Sequence, residues 1–170
     1  MIRRQWLQPD WDPGLTVVQL PFEHLLDRGI TSLLLDVDRT LLPGHDVRLP
    51  DAVMGWASAA QRHLRLHLFS NNPSRQRIQT VADQLGVSFT SGAAKPRRGA
   101  LRRVLQELQV QPEELAIIGD RLFTDVLAGN RLGLYTVLVK PVKADGTPCP
   151  HDRVQRLERQ LARLLGAESR

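Results

Sequence analysis

The stretch Leu33-Leu34-Leu35-Asp36-Val37-Asp38-Arg39-Thr40 decides the fold. A short apolar run that ends at once in two aspartates reads as a strand buried on both faces, with functional groups at its carboxyl end. Two further runs have the same form. Leu66-His67-Leu68-Phe69 leads into Ser70-Asn71-Asn72, and Leu115-Ala116-Ile117-Ile118 leads into Gly119-Asp120, with Asp125 shortly after. Between them stands Lys95-Pro96. In an open α/β sheet the ligand crevice lies at the carboxyl ends of the strands. One lip of one sheet would therefore gather Asp36, Asp38, Thr40, Ser70, Lys95, Asp120 and Asp125. Carboxylates, hydroxyls and an ammonium together suit a metal-assisted reaction on a phosphate.

Working outward, strands are expected at 32–37, 64–69, 87–90, 115–118 and 134–139. Helices are expected from Pro50-Asp51 to His63, from Asn72-Pro73-Ser74 to a stop at Gly86, from Pro96 to Gln109, over 124–131 and over 152–165. Proline suits a first helical turn, and glycine suits the left-handed position just past a helix end. Strands alternating with helices of about a dozen residues predict a three-layer α/β/α fold around a central parallel sheet of about five strands. At 170 residues this is expected to be a single domain, 1–170, with the functional segments in 31–140.

Composition narrows the function. A hydrophobic fraction of 42% and a charged fraction of 24% fit an ordinary globular protein, and no apolar run is long enough to span a bilayer. The start, Met1-Ile2-Arg3-Arg4-Gln5-Trp6, lacks the apolar core of a secretory signal. Cys149 is the only cysteine, so a disulfide framework and a thiolate metal cage are excluded, and a reducing, cytoplasmic compartment is expected. The five histidines, 24, 45, 63, 67 and 151, show no zinc-ligand spacing. The net charge of +5, supplied almost wholly by arginine, is equally consistent with a solvated basic surface and with attraction to a polyanion. Aromatic residues are only 5% and do not alternate with basic ones, which disfavours nucleic acid as the partner.

Each segment has a plainer reading beside the chemical one. An isolated Asp-x-Asp can form an Asx turn or cap a helix. Placed directly after three leucines, however, Asp36 would carry a buried charge that needs a cation or a metal. Ser70 could hold a phosphoryl oxygen with the backbone N–H groups of the next helix, or it could simply belong to a cap. Asp125 or Thr124 could cap the helix that follows, whereas Asp120 stands too far ahead of it. Lys95, Arg97 and Arg98 crowd the expected start of a helix, an end that prefers anions, which suggests an anionic ligand or else a solvated cluster.

The order Asp36-x-Asp38-x-Thr40, Ser70, Lys95, Gly119-Asp120-x-x-x-x-Asp125 resembles the four-motif set of the haloacid-dehalogenase-like (HAD) phosphohydrolases over about residues 31–140. Leu7-Gln8-Pro9-Asp10, Ser70-Asn71-Asn72 and the run from Gly119 to Arg131 are similar, more narrowly, to the YqeG family of subfamily IIIA, whose eukaryotic relatives are phosphatidylglycerophosphate phosphatases. Arg39 departs from the superfamily, which usually has a small residue or Asn there. The resemblance implies that Asp36 is the nucleophile and Asp38 the general acid and base. It implies that Thr40, Ser70, Asn71 and Lys95 bind the phosphoryl group. It further implies that Mg²⁺ is held by Asp36, the Asp38 backbone carbonyl and Asp120, with Asp125 completing or orienting the shell.

About thirty residues separate Asp38 from Ser70 and about twenty-five separate Ser70 from Lys95, so a crossover helix nearly fills each interval and no cap domain is expected. An open crevice suits a large substrate or a lipid headgroup presented at an anionic membrane surface, and by family likeness that lipid is phosphatidylglycerophosphate. A phosphatase of a soluble nucleotide, sugar or protein phosphate remains an alternative. So does a HAD-fold assembly partner with vestigial activity.

Overall fold

A computed structural model describes residues 4–44, 46–150 and 152–167. Five strands form one parallel sheet: β1 (Ser32–Leu35), β2 (Arg65–Phe69), β3 (Ser88–Thr90), β4 (Leu115–Gly119) and β5 (Tyr135–Leu138), in the order β3-β2-β1-β4-β5. β1 is central, pairing Leu33 with Leu66 on one side and with Ala116 on the other. The chain moves outward in one direction through β2 and β3, then returns to the other side of β1 through β4 and β5. The switch point between β1 and β4 is where a ligand crevice opens in such a sheet, and Asp36 and Asp120 follow these two strands.

The apolar runs are buried on both faces because helices cover both. Along β1, Leu33 and Leu35 point into one core with Val53 and Ala57 of α2 (Asp51–Ala60) and Ile78 and Val81 of α3 (Arg75–Leu85). Leu34 points the other way, into a second core with Leu101 and Val104 of α4 (Gly99–Leu108) and Ala128 of α5 (Leu127–Asn130). This is the two-residue alternation of a strand read out in three layers. A short helix, α1 (Glu23–Leu26), precedes β1, and α6 (Arg153–Leu164) closes the described chain. Among the described residues, no separate cap stands over the crevice.

Several boundaries differ from expectation. β1 ends at Leu35 rather than Val37, because the chain turns at Arg39, which has φ 70°. Asp36 still donates its N–H to the Ile118 carbonyl, so it stays tied to β4. α3 begins at Arg75, capped by the Ser74 hydroxyl, which accepts from the Arg77 N–H; Asn72 is not the cap. α4 begins at Gly99 rather than Pro96. The Asn71 side chain binds both the N–H and the carbonyl of Lys95, which holds Lys95–Arg98 in a turn outside the helix. Arg97 and Arg98 therefore do not occupy a first helical turn. The expected helix over 124–131 is a wide π-type turn, Leu122–Val126, running into α5.

The segment before α1 is an accessory edge. Trp11 pairs alongside β5, donating to the Thr136 carbonyl and accepting from the Leu138 N–H. Asp10 accepts from both the N–H and the hydroxyl of Thr136, at 2.8 and 2.9 Å. The early Leu-Gln-Pro-Asp signature thus serves the outer strand of the sheet.

Candidate active site

Lys95 is the hub. Its ammonium donates to Asp36 Oδ1 at 2.6 Å, to Asp125 Oδ1 at 2.6 Å and to the Phe69 carbonyl at 2.9 Å. It is buried, as are Asp36, Asp120 and Asp125. Those three carboxylates can each offer an oxygen within 4.8 Å of the others. The Thr40 hydroxyl lies 3.4 Å from Asp36 Oδ2, and buried Ser70 accepts from the Asn72 N–H at 3.1 Å.

Gly119 is what lets the acidic loop close. A Cβ at this position would fall inside the carboxyl group of Asp125, so only glycine allows that side chain to lie against the end of β4. The close approach at Gly119 is made by a side chain, not by backbone. Asp125 Oδ2 accepts from the Arg121 N–H at 3.2 Å while Oδ1 takes Lys95, so both of its oxygens are engaged.

Asp120 differs. Arg39 Nε stands 3.3 Å from its Oδ2, near enough for an ion pair but not aimed as a hydrogen bond, and neither buried oxygen accepts one. Burial, then the charges of Asp125 and Asp36, push the Asp120 carboxyl up to about 8. Burial likewise pushes Asp36 up to about 6, against the opposing pull of Lys95. Burial alone would lower Lys95, but Asp125 and Asp36 carry it above its ordinary value. Three carboxylates facing the Lys95 ammonium and the Arg39 guanidinium still leave an excess of negative charge in a low-dielectric pocket, and two oxygens without hydrogen bonds mark where a further cation fits. An all-oxygen donor set of this kind fits Mg²⁺.

Asp38 stands apart from the carboxylate trio. Its Oδ1 pairs with Arg77 Nη1 at 2.7 Å, its Oδ2 lies 3.4 Å from Asn72 Nδ2, and its side chain is about one-third exposed. Its carboxylate is thus engaged within the protein, while the metal contact implied for this residue is through its backbone carbonyl. Asn71, expected on substrate, instead has both atoms of its amide group bonded to the Lys95 backbone and so positions the lysine. Arg39, whose direction the sequence left open, reaches Asp120 and also pairs with Asp152 at the start of α6.

Sequence reading missed Arg77 and the inner face of α6. Gln155 donates to the Asp120 carbonyl at 2.8 Å, and Glu158 accepts from the Leu122 N–H and from Arg121 Nε. The acidic loop is thus braced from outside the 31–140 region. The only available signal was polar residues three apart within an amphipathic helix, which ordinarily mark a solvated face. Of the histidines, His67 bonds Ser88 and Thr90, while His24 and His63 stack on Trp11 and Phe22; His45 and His151 lie outside the described residues.

A family model described as "HAD-hyrolase-like" matches residues 92–155. "Probable phosphatase YqeG" of Bacillus subtilis is 32% identical over 145 residues, covering 84% of this chain and 80% of that one. The chain belongs to the HAD superfamily, in the YqeG family. The mitochondrial "Phosphatidylglycerophosphatase GEP4" of Saccharomyces cerevisiae is 24% identical, over 81% of this chain and 80% of its own. In fold, the HAD chain is similar to a putative subfamily III A hydrolase from Legionella pneumophila, with a TM-score of 0.52 at 21% identity, covering 68% of this chain and 69% of that one. It is a HAD-type phosphatase, and among the described residues no helix is long and apolar enough to cross a membrane.

Proposed function

We propose that this phosphatase is a Mg²⁺-dependent phosphomonoesterase that works through an aspartyl phosphate on Asp36, and that its substrate is phosphatidylglycerophosphate. The observation that carries the mechanism is the buried Asp36–Lys95–Asp125 bridge beside the unbonded carboxylate of Asp120. An Asp36 oxygen attacks phosphorus, and the bond to the leaving glycerol oxygen breaks as Asp38 gives that oxygen a proton. Asp38 then takes a proton from water as the water attacks the phosphoaspartate, releasing inorganic phosphate and restoring Asp36. Arg77 and Asn72 hold Asp38 for this exchange. Lys95 and the Ser70 and Thr40 hydroxyls steady the transferring group, whose charge grows at the oxygens. Asp36, Asp120 and the Asp38 carbonyl would hold Mg²⁺, with Asp125 supporting them; its charge would offset the repulsion between an anionic nucleophile and an anionic phosphate.

The lipid assignment is supported by the yeast relative, by the open crevice and by the positive net charge. We further take the whole chain, 1–170, to act as one unit. Hydrolysis of phosphatidylglycerophosphate in mixed micelles, beside a panel of soluble phosphomonoesters, tests the assignment. The expected result is a kcat/KM on the lipid above that on every soluble compound. Preference for a soluble nucleotide, sugar or protein phosphate would overturn it, and no Mg²⁺-dependent turnover of anything would favour an assembly partner.

A further inference from the structure

Helix α6 is turned inside out. It buries Gln155, Glu158 and Ala162, and it exposes Val154, Leu157, Leu161, Leu164 and Leu165, with Leu164 84% exposed and Leu157 55%. Spacings of three and four place the exposed five on one face. Among the described residues, Val47 is the one other large aliphatic side chain as open to solvent. The orientation is not an accident of weak packing, because polar bonds fix it. Gln155 donates to the Asp120 and Val139 carbonyls, Glu158 accepts from Leu122 and Arg121, and Asp152 pairs with Arg39.

The charges sort the same way. The capping Asp152 and the one acid within the helix, Glu158, are taken up by those inward bonds, while Arg153 and Arg156 are exposed. Along one flank of α6 runs a cleft of about 430 Å³ whose lining includes Lys140 and Arg156, with Arg159 beside them held by Asp12 at 2.6 and 3.0 Å. The outward surface therefore joins a leucine stripe to a cationic flank. An apolar protein groove would use the stripe but not the exposed Arg153 and Arg156 beside it. An anionic bilayer uses both, with leucines at the acyl boundary and guanidinium groups among the phosphates.

We propose that α6 is an interfacial helix that seats the enzyme on an anionic lipid surface. This deepens the lipid-phosphate reading and rests on it. The membrane-bound helix is bonded directly to the loop that carries Asp120, so docking places the crevice mouth beside the bilayer that presents the headgroup.

Co-sedimentation of the full chain with vesicles, without substrate, tests the proposal. Wild type should sediment with vesicles of phosphatidylglycerol mixed into phosphatidylcholine, far less with phosphatidylcholine alone, and less as salt rises. The triple variant Leu157→Gln, Leu161→Gln, Leu164→Gln should bind at least about 10-fold more weakly. Arg153→Glu with Arg156→Glu should lose about 10-fold as well. All of these substitutions are on exposed side chains, and turnover of a soluble phosphomonoester should stay at the wild-type level. Wild type that ignores anionic vesicles, or a leucine variant that binds them equally well, would overturn the proposal. So would a wild-type dimer in sedimentation equilibrium that the leucine variant dissolves, since the stripe would then be a contact between copies. Vesicle binding without phosphatidylglycerophosphate hydrolysis in micelles would sink the substrate reading and leave the docking helix standing; the reverse pattern would do the opposite.

Discussion

Lys95 Nζ and Asp36 Oδ1 lie 2.6 Å apart, both side chains buried, and the same ammonium is equally close to Asp125. One cation thus holds the ends of β1 and β4 together. Lys95→Met should leave the buried carboxylates of Asp36 and Asp125 without their counter-ion, costing about 3–5 kcal/mol in urea unfolding without divalent ions. Added Mg²⁺ should recover part of that stability while activity stays lost. Wild-type stability in the variant would show that the bridge is not what holds these two strand ends.

Asp120 and Asp125 should differ toward metal. Asp125 has both oxygens engaged within the protein, whereas neither Asp120 oxygen accepts a hydrogen bond. In titrations of activity against Mg²⁺, Asp120→Ala should raise the half-saturating concentration more than Asp125→Ala does. An unchanged requirement in Asp120→Ala would remove that residue from the metal.

Gly119→Ala should act at a distance on Lys95. The added methyl would displace the Asp125 carboxylate, and a displacement of about 1 Å within such a constellation costs roughly 10²-fold in rate. Turnover within a few-fold of wild type would mean that the Asp125–Lys95 contact is dispensable.

His67 gives a pH signature outside the crevice. Burial, with Arg65 adding to it, pulls this imidazole down to about 4. The unfolded chain, with an ordinary histidine near 6.5, then binds more protons between pH 6.5 and 4, so the folded state loses stability as pH falls through that window. Relative to His67→Gln, wild type should lose about 1–3 kcal/mol from pH 7 to 4 by urea unfolding, a comparison that cancels the opposite trend of the raised Asp36 and Asp120. Parallel curves for the two proteins would contradict the buried neutral imidazole.

The sheet, its core and the acidic cluster were legible because each is local in sequence: an apolar run, then its polar turn. What escaped was set by distant contacts. Pro96 looks like a helix start, but Asn71 of the β2 turn holds Lys95 in a different path. Asp38 shows no sign in the sequence of what holds its carboxylate, yet Arg77 from α3 engages it. The leucines of α6 have the spacing of a core face, yet bonds from Gln155 and Glu158 to the Asp120 loop turn them outward. Periodicity reports that a helix is two-faced; it does not report which face is spent on the rest of the protein.

The most direct measurement is of the covalent intermediate. Enzyme mixed with phosphatidylglycerophosphate and Mg²⁺, quenched in acid during turnover and examined by peptide mass spectrometry, should carry a phosphoryl group on Asp36. Asp38→Asn should accumulate that adduct if dephosphorylation is the slower step, and Asp36→Asn should lack it while losing about 10³-fold or more in turnover. Wild-type turnover in Asp36→Asn, or a phosphoryl group found on any other residue, would contradict the account.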